Sequence, residues 1–155
     1  IFALQFGLSL VVGEEVSDDQ LASHLRSDPR VTCLEGLNAR HMSKSEALLS
    51  TLAERPIDLA VMDVSFISQT LILHEIAALL PPSGQLLSLV KPQFELDPGA
   101  LDKRGVVREP RRYAEVEQKI RTACEQCGLV ISHWQESPIT GSDGNREFLL
   151  LASKP

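Results

Sequence analysis

Cysteine is scarce in this 155-residue chain. Its three cysteines are too few and too irregularly spaced for a disulfide framework, and no charged, then apolar, then small-residue secretion signal is present. A reduced, cytoplasmic protein is the expectation. Long apolar runs are lacking too: Gly, Pro or a charge interrupts each one short of the ~18 residues needed to cross a bilayer, so no membrane insertion is expected. Positive charge is in deficit. A formal net charge of −6 argues against a protein that holds nucleic acid through bulk electrostatics. Metal-ligand spacing is missing as well, since His24, His41, His74 and His133 are scattered. The CxxC pair Cys124 and Cys127 lies near the end of a predicted helix, far from any helix N-terminus that would activate a thiol. No metal is expected. Repeats, low-complexity tracts and linkers are absent, and 43% hydrophobic residues suffice for a single domain over residues 1–155.

What is present alternates between two periodicities. Residues 8–13 (LSLVVG) form an apolar run with Glu14 and Glu15 at its exit, and residues 18–26 have helical spacing with an acidic first turn. Residues 30–34 (RVTCL) read as a second strand, 43–52 as a helix with Ser43 and Glu46 spaced as a capping box, and 57–63 (IDLAVMD) as a third strand. An apolar helix over 70–80 is stopped by Pro81 and Pro82, and Gly84 leads into a strand over 85–90. Pro110 opens a long amphipathic helix that Gly128 terminates. Strands separated by helices imply parallel βαβ units. The final strands, 129–134 and 147–152, are joined by a polar loop without a helix, so that pair is expected to be antiparallel. The fold class is α/β, a mostly parallel sheet with an antiparallel last strand.

Three charged residues stand at strand edges: Asp63 in VMDVSFIS, Lys91 in LVKPQFE and Glu147 in GNREFLL. Sites in open α/β sheets form where buried strands end, so these three are candidates for one reaction centre. The plainer reading is an ion network that closes the end of a sheet. A stretch without periodicity over 93–109 follows Lys91, and such loops are usually functional or mobile. Beside it Lys103, Arg104, Arg108, Arg111 and Arg112, against Asp102 and Glu109, make a local basic patch suited to a phosphate backbone or to an ordinary solvated surface. Trp134 reads as a core or rim residue more than a base-stacking one. The loop 138–146 can either carry Glu147 to a cleft or merely connect two strands.

Taken together, DPRV at 28–31, ExxNAR at 35–40, DVSFIS at 63–68, LVKPQFE at 89–95, GVVR at 105–108 and SPITGSDGNREFLL at 137–150 resemble the methyltransferase domain of the TlyA family. That family comprises hemolysin-type proteins within the FtsJ-like group of ribose 2′-O-methyltransferases. The resemblance implies a Rossmann-like fold that uses S-adenosylmethionine to methylate a ribose 2′-hydroxyl in ribosomal RNA, with the RNA or a ribosomal subunit as partner. It further implies that Asp63, Lys91 and Glu147 match three members of the family's Lys-Asp-Lys-Glu catalytic set. By the same resemblance Glu15 holds the cofactor ribose, Asn38 lies in the segment lining the adenine, and Asp63 also borders the cofactor. The family's glycine-rich cofactor loop, the strand before it and its first catalytic lysine would fall upstream of Ile1, as would its small RNA-binding domain. An N-terminally incomplete or degenerate methyltransferase domain is therefore expected.

For such a reaction a ribose hydroxyl must lose its proton as it attacks a sulfonium methyl. Either neutral Lys91 accepts that proton, or charged Lys91 orients the hydroxyl while Asp63 or Glu147 accepts it. Two rival functions stand beside this one: a catalytically inactive RNA- or ribosome-binding module of the same fold, and a membrane-lytic hemolysin, for which no basic amphipathic helix is evident.

Overall fold

Two units make up the chain, Ile1–Arg55 and Pro56–Pro155. The computed structural model describes residues 11–15, 26–141 and 144–155. The helix expected over 18–26 and the start of the first strand therefore fall mostly outside the described residues.

In the first unit, strands β1 (Val11–Glu15) and β2 (Val31–Glu35) run parallel, with Val11 opposite Val31 and Glu15 opposite Glu35. Asp28 launches β2. Its carbonyl accepts from Val31 N (2.9 Å), its Oδ1 accepts from Arg30 N (2.9 Å), and the Arg30 guanidinium closes on the same carboxylate, with Nη2 2.7 Å from Oδ2. The hydrogen bonds from the Arg30 side chain and backbone favour the ionised form and lower the pKa of the Asp28 carboxyl to about 2. Past β2 the chain turns at Gly36, with φ +72°, enters a 3-10 helix over Ala39–Lys44, and continues into helix α1 (Glu46–Glu54). The capping serine is Ser45, whose Oγ accepts from Leu48 N at 3.3 Å, and not Ser43. Ser43 lies inside the 3-10 segment, whose backbone leaves helical geometry at His41.

The second unit is a four-stranded sheet in the order β3-β4-β6-β5, built from β3 (Leu59–Met62), β4 (Gln85–Val90), β5 (Val130–Glu136) and β6 (Phe148–Ser153). β3 and β4 are parallel, and β6 is antiparallel to both β4 and β5. One face of the sheet carries the core. Leu86, Ser88 and Val90 of β4 alternate into it opposite Ala152, Leu150 and Phe148 of β6, and all six are buried. Helix α2 (Leu73–Leu79), preceded by a 3-10 turn over Gln69–Leu71, adds buried Leu73 and Ala77. Helix α3 (Arg112–Gln126) adds Val116, Ile120, Ala123 and Cys124 at helical spacing and ends where Gly128 takes φ +75°. Each fully buried Leu or Ile contributes roughly 1.5–3 kcal/mol. Burial pushes the Cys124 thiol up to about 11, so this sulfur serves packing.

The C-terminal residues clip α2 to the sheet. Lys154 Nζ donates to the carbonyls of Ala77 and Leu80, both at 2.8 Å, satisfying acceptors that the helix end leaves open. The backbone of Lys154 also bonds Ser83 and Gly84, in the turn between α2 and β4. Among the described residues no helix is long and apolar enough to cross a membrane.

Replacing Lys154 with Met should lower stability by about 1–2 kcal/mol in urea unfolding, because two partly buried carbonyls lose their donor. For the Asp28 turn the sign follows from a carboxyl held below its ordinary value. Its contribution is present above about pH 4 and is lost as pH falls toward 2, which an NMR titration of the Asp28 carboxyl will show.

Candidate active site

The topology brings three chain segments to one rim of the second unit's sheet. β3 and β4 run the same way, so Asp63, directly after β3, and Lys91, directly after β4, leave at the same end. β6 runs back from that end, with Phe148 opposite Val90, so Glu147 enters beside the exit of Lys91. Lys91 Nζ lies 2.6 Å from Asp63 Oδ1 and donates to Ser65 Oγ at 3.0 Å. The two partners differ in access: the Lys91 side chain is 15% exposed and that of Asp63 is 61% exposed. An ammonium sheltered under an open carboxylate can address a hydroxyl arriving from solvent. Pro92 at the first position of a 3-10 turn over Pro92–Phe94 bends the chain immediately after Lys91.

Glu147 is buried at the neighbouring strand end and makes no hydrogen bond or ion pair to Asp63 or Lys91 among the described residues. Its carboxylate lies against Gly141, where an added Cβ would come within 2.7 Å of Oε1. Gly141 N–H bonds Asn145 O at 2.9 Å and Ser137 N–H bonds Glu147 O at 2.8 Å, so the β5–β6 connection is closed by its own backbone.

Sequence reasoning missed the residue that braces this rim. The Glu95 side chain, 1% exposed, accepts from Ser68 Oγ and from the backbone N–H of Gln69 (2.8 Å), and pairs with Lys119 Nζ of α3 (3.1 Å). The Gln69 side chain in turn donates to Leu89 O and accepts from Ser88 Oγ (2.8 Å). The segment after β3 is thereby stapled to β4 and to the segment after it. A lone acid in the apolar context QFEL was the available signal. Phe66 was also missed. It is 91% exposed, holds φ +64°, and its ring stands 5.0 Å from that of Phe94. Positive φ is uncommon outside glycine and costs of order 1–3 kcal/mol for a bulky residue. The strained position presents an aromatic face to solvent three residues from Asp63.

The basic segment is less positive than its composition. Arg104 pairs with Asp102 (3.5 Å), Arg111 with Glu109 (2.6 Å), and Arg112 with Asp97 (2.7 Å) and Glu115 (3.2 Å). Lys103 and Arg108 are exposed and have no acidic partner among the described residues. A hollow of about 230 Å³ lined by Asp97, Gly99, Ala100, Arg108, Glu109 and Arg112 adjoins this segment, and Lys91 and Asp63 do not border it. Trp134 lies within β5, half-buried and stacked on Phe148 at 5.4 Å. Among the described residues no group of His, Cys, Asp and Glu is arranged to hold a metal ion.

In the first unit, Glu15 is the last residue of β1, and Asn38 lies three residues past β2, at the same end of that parallel pair. Asn38 Oδ1 caps the 3-10 helix by accepting from Arg40 N at 3.0 Å. Strand ends of this kind are where α/β sheets take ligands.

Comparison with known proteins gives a consistent result. The model of the FtsJ-like methyltransferase family matches residues 2–154. YqxC of Bacillus subtilis (strain 168), which bears an rRNA methyltransferase name, is 38% identical over 148 residues, covering 96% of this chain and 51% of its own length. The 16S/23S rRNA (cytidine-2′-O)-methyltransferase TlyA of Mycobacterium tuberculosis is 35% identical over 147 residues, 95% of this chain and 53% of that protein. The chain thus spans about half the length of the curated relatives it matches. A solved structure from Streptococcus thermophilus that carries the name hemolysin superposes with a TM-score of 0.89 at 36% identity, over 99% of this chain and 54% of that one.

Gly141→Ala should displace the Glu147 carboxylate at a stability cost of about 1 kcal/mol. Adding Glu147→Ala should recover most of that loss in urea unfolding, since the second change removes the clashing group.

Proposed function

The chain belongs to the FtsJ-like methyltransferase family, whose α/β fold it has, and we propose that it transfers a methyl group from S-adenosylmethionine to a ribose 2′-hydroxyl of ribosomal RNA. The observation that carries this reading is the 2.6 Å contact of Lys91 with Asp63 at a shared sheet rim. S-adenosylmethionine, when bound, supplies a methyl group on a sulfonium. The rest falls to the protein. Lys91 donates to the ribose hydroxyl oxygen and stabilises the developing alkoxide, and the accessible Asp63 carboxylate takes the proton. Glu147 adds a second carboxylate beside the exit of Lys91. The Phe66 ring offers a stacking surface for a base lifted out of its helix, as suits single-stranded RNA. Holding the hydroxyl in line with the methyl–sulfur bond supplies much of the rate, about 7–11 kcal/mol where geometry is near ideal.

Glu15 would hold the cofactor ribose and the segment containing Asn38 would line the adenine, roles supported by the family resemblance and by their place at one end of β1 and β2. Lys103, Arg104, Arg108, Arg111 and Arg112 would contact phosphates, with Lys103 and Arg108 the most available and the other three released from acids on binding. The reading carries with it a cytoplasmic location beside ribosomes and one methyltransferase domain over residues 1–155, the latter supported by a family match that runs through both units.

Transfer of radiolabelled methyl from S-adenosylmethionine to ribosomal subunits tests the proposal in the protein containing this sequence. Lys91→Ala should lower kcat by about 10²–10³-fold with an unchanged circular dichroism spectrum. A folded variant of wild-type activity refutes the role of Lys91, and RNA binding without transfer by the wild type would favour an inactive binding module.

A further inference from the structure

Asn145 is wholly buried, at 0% exposure. Both ends of its amide are committed to one distant hairpin: Oδ1 accepts from Val107 N–H at 3.1 Å and Nδ2 donates to Gly105 O at 2.9 Å. That hairpin is closed from within. Leu101 bridges Val107, Asp102 N–H donates to Val106 O (2.8 Å), and Asp102 Oδ1 accepts from the backbone N–H groups of Arg104 (2.8 Å) and Val106 (2.9 Å). Gly105 supplies the turn with φ +79°, and Arg108 N–H returns to Ala100 O at 3.0 Å. Lys103 and Arg104 therefore stand on a preformed turn, and Arg108 leaves its base. Two residues beyond Asn145 is Glu147, at the mouth of β6. One side chain thus ties a rigid basic hairpin to the strand entry that carries a candidate catalytic acid.

We propose that Asn145 is a positioning residue for RNA, acting through the hairpin 101–108 to keep Lys103, Arg104 and Arg108 in register with the reacting hydroxyl. The inference rests on the reading above that this segment contacts the RNA backbone. Phosphate contacts set the register of a nucleic acid on its protein, so a hairpin at a fixed distance from the rim selects which ribose reaches it. An amide is needed because it both donates and accepts. A carboxylate of nearly equal size accepts from Val107 but faces the Gly105 carbonyl with no proton to offer.

The test is methyl transfer from radiolabelled S-adenosylmethionine to ribosomal subunits, with KM and kcat separated for Asn145→Asp, Asp102→Ala, their combination, and the double variant Lys103→Ala/Arg108→Ala. Asn145→Asp should raise KM for the subunit about tenfold, the effect of an unpaired buried acceptor. Its kcat and its KM for S-adenosylmethionine should move less than about twofold. Asp102→Ala, which loosens the hairpin from inside and touches neither Asn145 nor Glu147, should raise KM in the same way. The combination should fall short of the product of the two effects, because both act on one element. A fall in kcat at unchanged KM, or full additivity, overturns the proposal. If Lys103→Ala/Arg108→Ala raises KM while Asn145→Asp does not, the proposal fails and the RNA reading stands. If the double variant leaves KM unchanged, both fail. Should Asn145→Asp not fold, as judged by thermal melting, an unchanged KM for Asp102→Ala is enough to overturn it.

Discussion

A carboxylate taken out of water costs several kcal/mol unless it is met by charge and hydrogen-bond donors. Glu95, with its side chain 1% exposed, meets that demand by drawing Ser68 and Gln69 from the segment after β3 and Lys119 from α3. The satisfied carboxylate fixes where each donor stands. Gln69 is thereby placed to bond Leu89 and Ser88 of β4, so the loops that carry Asp63 and Lys91 cannot drift apart without leaving buried polar groups unpaired. The contact of Lys91 with Asp63 is partly open to water and is weak by itself. Its geometry depends on the buried network behind it.

A second organising device is the tripeptide Asn145, Arg146 and Glu147, whose side chains serve three separate ties. Asn145 holds the 101–108 hairpin. Arg146 forks onto Glu136, with Nε 2.7 Å from Oε1, and its guanidinium lies 4.7 Å from the Tyr113 ring centroid. Glu147 settles against Gly141. The Arg146 tie also explains the aromatic group around it, where Phe148 contacts both Tyr113 and Trp134, joining α3 to β5 and β6.

Periodicity made most of this fold readable. The strand over residues 85–90 is seen with the boundaries expected of it, the last two strands are antiparallel because the loop between them is too plain for a crossover, and the rim positions of Asp63 and Lys91 follow from where apolar runs stop. Pairing across long sequence separations was not readable. Glu95 and Ser68 are 27 residues apart, and Asn145 and Gly105 are 40 apart. Nothing local distinguishes such residues from ordinary loop polars. The pairing of Arg112 was hidden for the same reason, since Asp97 and Glu115 lie outside the stretch counted. At the start of α1 the expected cap, Ser43, lies inside a 3-10 helix that the spacing did not reveal, and Ser45 caps instead.

Phe66 carries one more consequence. Its backbone sits where glycine or asparagine rests easily, and its ring, 91% exposed, gains almost nothing from burial. On the reading proposed here the ring is kept for what it does to an RNA base. Selection for heat resistance alone would then push this position toward glycine, whereas selection on ribosome modification would restore the aromatic, so residue 66 is a site where durability and usefulness choose different amino acids.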